Sequence, residues 1–353
     1  MPAPFHLKLT GDFFDAAGRG KYADIGLSVL DAAPHVAVER FAEHRPEIGP
    51  DQLAGANGVI VLTPKVTAHS VAQAADLLAV GRFGVGYDSV DVAACTAADV
   101  AVFITTGAVD RPVAEATVGW MIALTHQVRT KDRLVRTGAW DTRSRYMGSE
   151  LRDRTLGLVG FGGIAREVVR LLANWGMRPP LAFDPFLSPA DAARAGVRLV
   201  GLEELLRESD FVSIHCPLTD RTRGLIGAAQ LALMRPGACL LNTARGGIVD
   251  EPALYDALRS GRLAGAALDC FAQEPVTVPP PLAELDNVLL APHCIAWTDE
   301  LFRDIGRTAC QGMVDLSLGR TPRGAVNPEV FSRPSFREKW RRVCRLPGAG
   351  GPP

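Results

Sequence analysis

Apolar residues along the chain fall into short runs of about five, separated by longer segments in which they recur every three or four positions. The short runs predict strands at 6–10, 36–39, 59–62 and 100–105. A second series is predicted at 155–159, 181–184, 211–216, 239–243, 264–268 and 288–291. The intervening segments read as helices. The longest, 111–140, has Pro112 near its start, which suits a first turn where a missing N–H costs little. Strand and helix alternating in this way predict an α/β architecture with parallel sheets.

The length of 353 residues suggests two domains of about 150 residues each. With 47% hydrophobic and 22% charged residues and a net charge of −1, nothing draws the chain to nucleic acid or to an anionic membrane. The first residues, MPAPFHLKLTGDFF, lack a basic stretch followed by a long apolar core, so a cytoplasmic enzyme is expected. Seven cysteines, an odd number with no CxxC pair, suggest neither a disulfide framework nor a zinc site. They read as small buried hydrophobes, and no metal is expected. The segment 332–353 is rich in Arg, Pro and Gly and has little to bury, so disorder is expected beyond Pro334.

The stretch Gly160-Phe161-Gly162-Gly163-Ile164-Ala165 follows a predicted strand and opens a predicted helix. In such a turn the first glycine makes the bend and the second lets backbone approach a pyrophosphate. The third small residue, here Ala165, lets helix and strand pack closely. The helix start offers N–H groups and a positive dipole end to phosphate. Asp184 closes the next strand and can accept hydrogen bonds from ribose hydroxyls. No Arg or Lys lies in 185–190 to pair with a 2′-phosphate, so NAD is expected rather than NADP.

Three polar residues stand near predicted strand ends in the second half: Arg245 in NTARGG, Glu274 in DCFAQEP and His293 in APHCIAWT. Alone, they read as a surface ion pair, a helix-start acid and a core histidine. Together they suit hydride transfer to a 2-keto acid. A guanidinium holds the carboxylate, a protonated imidazole supplies the proton, and a carboxylate beside it stabilises the imidazolium. His126 and His215 lack such context and read as structural.

From about 59 to 328 the sequence resembles the D-isomer-specific 2-hydroxyacid dehydrogenase family. The resemblance rests on GRFGVGYDSVDVAA, VAEATVGWMIAL, TLGLVGFGGIA, HCPLTDRTRGLIG, LLNTARGGIVDEPALYDAL, GAALDCFAQEP and APHCIAWT, in that order. It implies two Rossmann-like domains. The first is a flavodoxin-like substrate domain at 1–108 that returns at 298–333. The second is an NAD-binding domain inserted at 109–297, and a tail follows at 334–353. It implies that Arg245 binds substrate, that Glu274 pairs with His293, and that His293 is the general acid and base. The cofactor contacts it implies fall on Gly160, Gly162, Gly163, Ile164, Asp184, Cys216, Pro217, Thr222, Thr243, Ala244, Arg245, Asp269 and His293, with Thr117 a weaker candidate. The substrate loop falls on Leu62 and Thr63, whose backbone N–H groups would hold the substrate carboxylate, with Val85 and Gly86 bordering the pocket.

Three positions depart from the family pattern: Ala165 replaces a glycine, Gly163 stands where a larger, often basic residue is common, and Ala296 stands where glycine is frequent. The activity implied is interconversion of a 2-keto acid and a D-2-hydroxy acid with NAD, in a homodimer joined around 113–124. Trp297 reads either as a substrate-facing wall or as packing. Glu274, where formate dehydrogenases carry Gln, favours a keto acid substrate. A 3-phosphoglycerate dehydrogenase remains an alternative, although Val61 stands where those enzymes usually have Arg. An NAD-sensing corepressor, binding peptides rather than turning over substrate, is the alternative from another class.

Overall fold

Runs such as Gly58–Val61 and Phe211–Ile214 show no apolar–polar alternation because both of their faces are buried. The computed structural model describes residues 4–344. Two compact units result, one formed by the first 109 residues with the chain from Thr298 onward, the other by Asp110–Trp297.

The first unit carries strands β1 (Phe5–Leu9), β2 (Val36–Arg40), β3 (Gly58–Val61), β4 (Ala79–Arg82) and β5 (Ala101–Ile104). Short helices α1 (Pro50–Leu53), α2 (Ala68–Val71) and α3 (Val92–Ala97) connect them. The five strands are parallel in the order β2-β1-β3-β4-β5. The order reverses between β1 and β3, where Leu9 lies opposite Ile60, so the loops leaving these two strands flank a crevice beyond their carboxyl ends. The pattern of the sequence did not yield β4. Its residues Ala79, Val80 and Gly81 are buried in the sheet centre, and a short apolar run of that kind does not distinguish strand from helix.

The second unit opens with helices α4 (Asp110–Thr125) and α5 (Val128–Arg136). Then come β6 (Leu156–Val159), α6 (Gly163–Leu172), β7 (Leu181–Phe183), α7 (Pro189–Arg194), β8 (Arg198–Leu199) and α8 (Leu202–Glu208). After these follow β9 (Phe211–Ile214), α9 (Ala228–Leu233), β10 (Cys239–Asn242), α10 (Glu251–Arg259), β11 (Gly265–Leu268) and β12 (Val288–Leu290). Its seven parallel strands run β12-β11-β10-β9-β6-β7-β8, with the reversal between β6 and β9. Two hydrophobic clusters form its core. One is built on Leu205, Val212, Leu240 and Leu254, the other on Met121, Leu158, Val168 and Leu241. The α/β class with parallel sheets agrees with the strand and helix pattern.

Two expectations are corrected. The segment 111–140 is not one helix. It breaks at Gln127, whose backbone is left-handed at φ 51 and whose side-chain amide donates to the Met147 carbonyl. The expected disorder beyond Pro334 also fails. After α11 (Asp299–Ser317), which belongs to the first unit, Pro334–Cys344 forms α12. It buries Phe336 and Trp340 against Phe331, and the Trp340 indole donates to the Leu316 carbonyl at 2.7 Å. Two aromatic anchors four residues apart outweigh the polar composition around them. Residues 345–353 of the expected tail lie outside the described residues. All seven cysteines are free thiols, and four of them, Cys95, Cys239, Cys270 and Cys310, are buried.

Candidate active site

The loop after β6 is built on Gly160, held at φ 89. A β-carbon there would lie 2.8 Å from the Cys216 nitrogen in the loop after β9, so both backbone conformation and close approach require glycine. Gly162 caps α6 and has open space where a side chain would stand. Ala165, fully buried, packs α6 onto the sheet. Asp184 ends the next strand. Its carboxylate accepts from the backbone N–H groups of Phe161 and Phe186, each at 2.8 Å, and keeps further lone pairs for a ribose. Gly-lined backbone, a helix N-terminus and an acid at the switch point of the sheet fit a dinucleotide.

At Gly163 a β-carbon would fall 2.1 Å from a carboxylate oxygen of Asp110, at the start of α4. Any side chain at 163 would therefore require the Asp110 carboxylate to shift. Nothing in the sequence linked these two positions. In the loop after β9, which carries Cys216 and Pro217, the Thr222 hydroxyl donates to the Pro217 carbonyl and accepts from the Thr219 N–H. His215 donates to or accepts from the Ser213 hydroxyl at 2.8 Å. Burial pushes its pKa down to about 4, so it stays neutral near pH 7. Thr117 on α4 reaches Thr243 after β10, with hydroxyl oxygens 3.4 Å apart.

Arg245, Glu274 and His293 leave the carboxyl ends of β10, β11 and β12. Asn242, buried at the end of β10, ties its side chain to the backbone of Ala244 and Arg245 and sets the turn that carries the guanidinium. The Arg245 guanidinium donates to the Ala244 carbonyl at 2.6 Å. Gly246 permits that turn to meet the next loop: a β-carbon there would lie 1.8 Å from the Phe271 carbonyl oxygen. Glu251 clamps the same contact by accepting from the Ala272 N–H. Asn242 and Glu251 were not singled out in the sequence, because they act through turns that spacing does not reveal.

Glu274 accepts from the Phe271 N–H with Oε1 and meets His293 Nδ1 with Oε2, both at 2.8 Å. An ionised carboxylate only accepts, so the proton sits on Nδ1, and Nε2 takes no part in this hydrogen bond. Partial burial raises the carboxyl pKa of Glu274. The hydrogen bond from His293, the Phe271 N–H and the charges of His293 and Arg245 outweigh it, and the net shift is downward. His293 itself is left-handed at φ 54, a conformation that costs a non-glycine residue roughly 1–2 kcal/mol. Its N–H donates to the Asp269 carbonyl, and the Asp269 carboxylate accepts from the N–H groups of Cys294 and Ile295. Burial raises the pKa of Asp269 against these donors. Asp269 thus fixes the turn that presents the imidazole. Trp297, at the end of this unit, is about half exposed, at 53%.

Leu62, Thr63, Val85 and Gly86 belong to the first unit, after β3 and β4. The Leu62 N–H donates to the Thr10 hydroxyl, and the N–H and hydroxyl of Thr63 both donate to the Asp12 carboxylate, at 2.8 and 2.5 Å. Thr10 and Asp12 leave β1, so they sit at the reversal of that sheet. The amides expected to hold a substrate carboxylate are therefore already engaged by side chains of this unit, a pairing the sequence did not suggest. A separate cavity of about 460 Å³, lined by Thr125, Arg129, Cys239 and Asn287, opens at the amino ends of β9 to β12. Ligands of open α/β sheets collect at the other end. No helix among the described residues is long and apolar enough to cross a membrane.

Comparison with known proteins bears on this geometry. The family described as "D-isomer specific 2-hydroxyacid dehydrogenase, NAD binding domain" matches residues 118–294. A D-3-phosphoglycerate dehydrogenase from Archaeoglobus fulgidus is 39% identical over 74% of this chain and 50% of its own length. That from Rattus norvegicus is 37% identical over 92% of this chain and 59% of its own. The chain thus spans about half the length of these curated relatives. A glyoxylate reductase from Korarchaeum cryptofilum is 38% identical over 77% of this chain and 82% of its own. Among solved structures, a glyoxylate reductase from Paecilomyes thermophila superposes with TM-score 0.77 at 28% identity, covering 93% of this chain and 99% of that one. The chain belongs to the D-isomer-specific 2-hydroxyacid dehydrogenase family.

Proposed function

We propose that this protein interconverts a small 2-keto acid and the corresponding D-2-hydroxy acid. The observation that carries the reading is the 2.8 Å hydrogen bond between Glu274 and His293 Nδ1 at the strand ends of a dinucleotide-binding unit. NAD, when bound, supplies or takes the hydride. Gly160, Gly162, Gly163 and Ile164 would meet its phosphates at the start of α6, and Asp184 would hold its adenosine ribose. Cys216, Pro217, Thr222, Thr243, Ala244 and Asp269 would contact the remainder, with Thr117 behind Thr243.

Arg245 would grip the substrate carboxylate and polarise the adjacent carbonyl, a task that its planar fork suits. His293 Nε2 would give a proton to the carbonyl oxygen during reduction and take it back during oxidation. Glu274 would keep the imidazolium form in place and hold the Nδ1 tautomer. Leu62 and Thr63, with Val85 and Gly86, would form the substrate loop of the first unit, once the Thr10 and Asp12 contacts yield to a ligand.

Glyoxylate and hydroxypyruvate head the candidate substrates. The names of the relatives give phosphohydroxypyruvate a place among them, although Val61 stands where an arginine for the phosphate is usual. The test is NADH oxidation over a panel of 2-keto acids that includes phosphohydroxypyruvate, with NADPH as comparator. Turnover of at least one acid is expected, with NADH preferred at least tenfold, about 1.4 kcal/mol. Equal kcat/KM for the two coenzymes would remove the role of Asp184. No turnover together with micromolar peptide binding would favour a corepressor-like role instead.

A further inference from the structure

We propose that the fold makes a binding site for a thiophilic divalent cation of the zinc class from Cys270, Glu274 and His293. The three are spaced 270, 274 and 293, a pattern with no metal signature in the sequence, but the loop after β11 and the turn after β12 bring them together. One ligand atom from each lies within 4.8 Å of the other two. Among the described residues, this is the group of His, Cys, Asp and Glu with such convergence.

The donor set is selective. A thiolate, an imidazole and a carboxylate make a three-ligand site with a fourth position left for water, an arrangement that zinc accepts. Magnesium and calcium prefer oxygen donors and gain little from the sulfur. Bonds of about 2.0–2.3 Å in a tetrahedron place ligand atoms roughly 3.5 Å apart. The widest separation therefore closes by about 1.3 Å at most, while the 2.8 Å between His293 Nδ1 and Glu274 Oε2 widens by about 0.7 Å. Glu274 and His293 are partly exposed, at 35% and 46%, and can rotate to do this, while Cys270 is buried and fixed.

The supporting contacts are already in place. Glu274 Oε1 accepts from the Phe271 N–H, which leaves Oε2 to face the cation. Cys270 Sγ lies 3.4 Å from the Ala244 carbonyl oxygen, at the wall of the same turn that bears Arg245. The proton relay described above uses Glu274 and His293 and makes no demand on the thiol.

Binding involves no change of oxidation state. The Cys270 thiol gives up its proton to solvent and its sulfur donates an electron pair to the cation. The His293 Nδ1 proton moves by way of solvent to Nε2, and Nδ1 and Glu274 Oε2 exchange their hydrogen bond for bonds to the metal. A neutral imidazole so held is a far weaker acid than the imidazolium and no longer serves as the proton donor. The cation is thus a reversible inhibitor, and this consequence, unlike the binding itself, rests on the proposed role of His293.

The experiment uses the full chain and separates the two. Cobalt(II) is titrated into the protein, and the thiolate-to-cobalt charge-transfer absorption is followed. Saturation near one equivalent is expected, with the band lost in Cys270→Ala and in the better-filling Cys270→Val, and kept in Cys294→Ala. Absence of the band, or its survival in both Cys270 variants, would overturn the site. In parallel, zinc should slow keto acid reduction, chelator should restore it, and magnesium should do nothing. Both Cys270 variants should keep basal turnover and be at least tenfold less sensitive to zinc. A one-equivalent cobalt band with turnover untouched by zinc would uphold the site and count against His293 as the proton donor.

Discussion

At the scale of single residues, Glu274 does two things with its two oxygens. One holds its own loop through the Phe271 N–H, and the other holds the imidazole. Its lowered pKa keeps it ionised at neutral pH. The stabilisation it gives is present above the ordinary glutamate value of about 4.3 and is lost as pH falls through the lower folded value. Glu274→Gln keeps shape and removes charge. The alkaline limb of kcat/KM for reduction should then move to lower pH, since the imidazolium has lost its anion. An unmoved limb would show that Glu274 does not support the proton donor. Arg245, Glu274 and His293 were legible in the sequence because each sits in a distinctive motif. Their supports were not. Asn242 and Glu251 act through turns, and elsewhere the pairing of Asp12 with Thr63 in the first unit and the approach of Asp110 to Gly163 in the second each join positions more than fifty apart.

At the scale of elements, ten of the twelve strands among the described residues were read from apolar runs, and β4 and β8 were missed. The first is a central strand of four residues and the second has two, too short for any period to show. Helix α12 teaches the converse lesson. Its sequence is mostly polar, and Lys339 adds to that impression, yet the Lys339 ammonium donates to the carbonyls of Leu77 and Ala98 beside the sheet of the first unit. Burial pushes its pKa down to about 8. Phe336 is fully buried in the same helix. Phe336→Ala should therefore cost about 3–5 kcal/mol of unfolding free energy, read from a denaturant titration. A change below about 0.5 kcal/mol, as at surface positions, would contradict the docking of α12.

At the scale of the whole molecule, strand order decides where chemistry collects. Each sheet reverses once, between β1 and β3 and between β6 and β9, and the candidate residues leave strands at their carboxyl ends in both units. Assembly is a further expectation. Val128, Val135, Trp140 and Met147 are exposed apolar residues on α5 and the turn after it, close in sequence to the 113–124 segment expected at a dimer interface. A homodimer with an isologous interface should appear by light scattering at micromolar concentration, and a monomer mass would contradict it. The central claim is stereospecific reduction of a 2-keto acid through His293. The most direct test supplies NADH and the best acid of the panel to the wild type and to His293→Ala, and resolves the product by chiral chromatography. The account predicts the D-2-hydroxy acid from the wild type and nearly none from the variant. An L product, or full activity in His293→Ala, would contradict it.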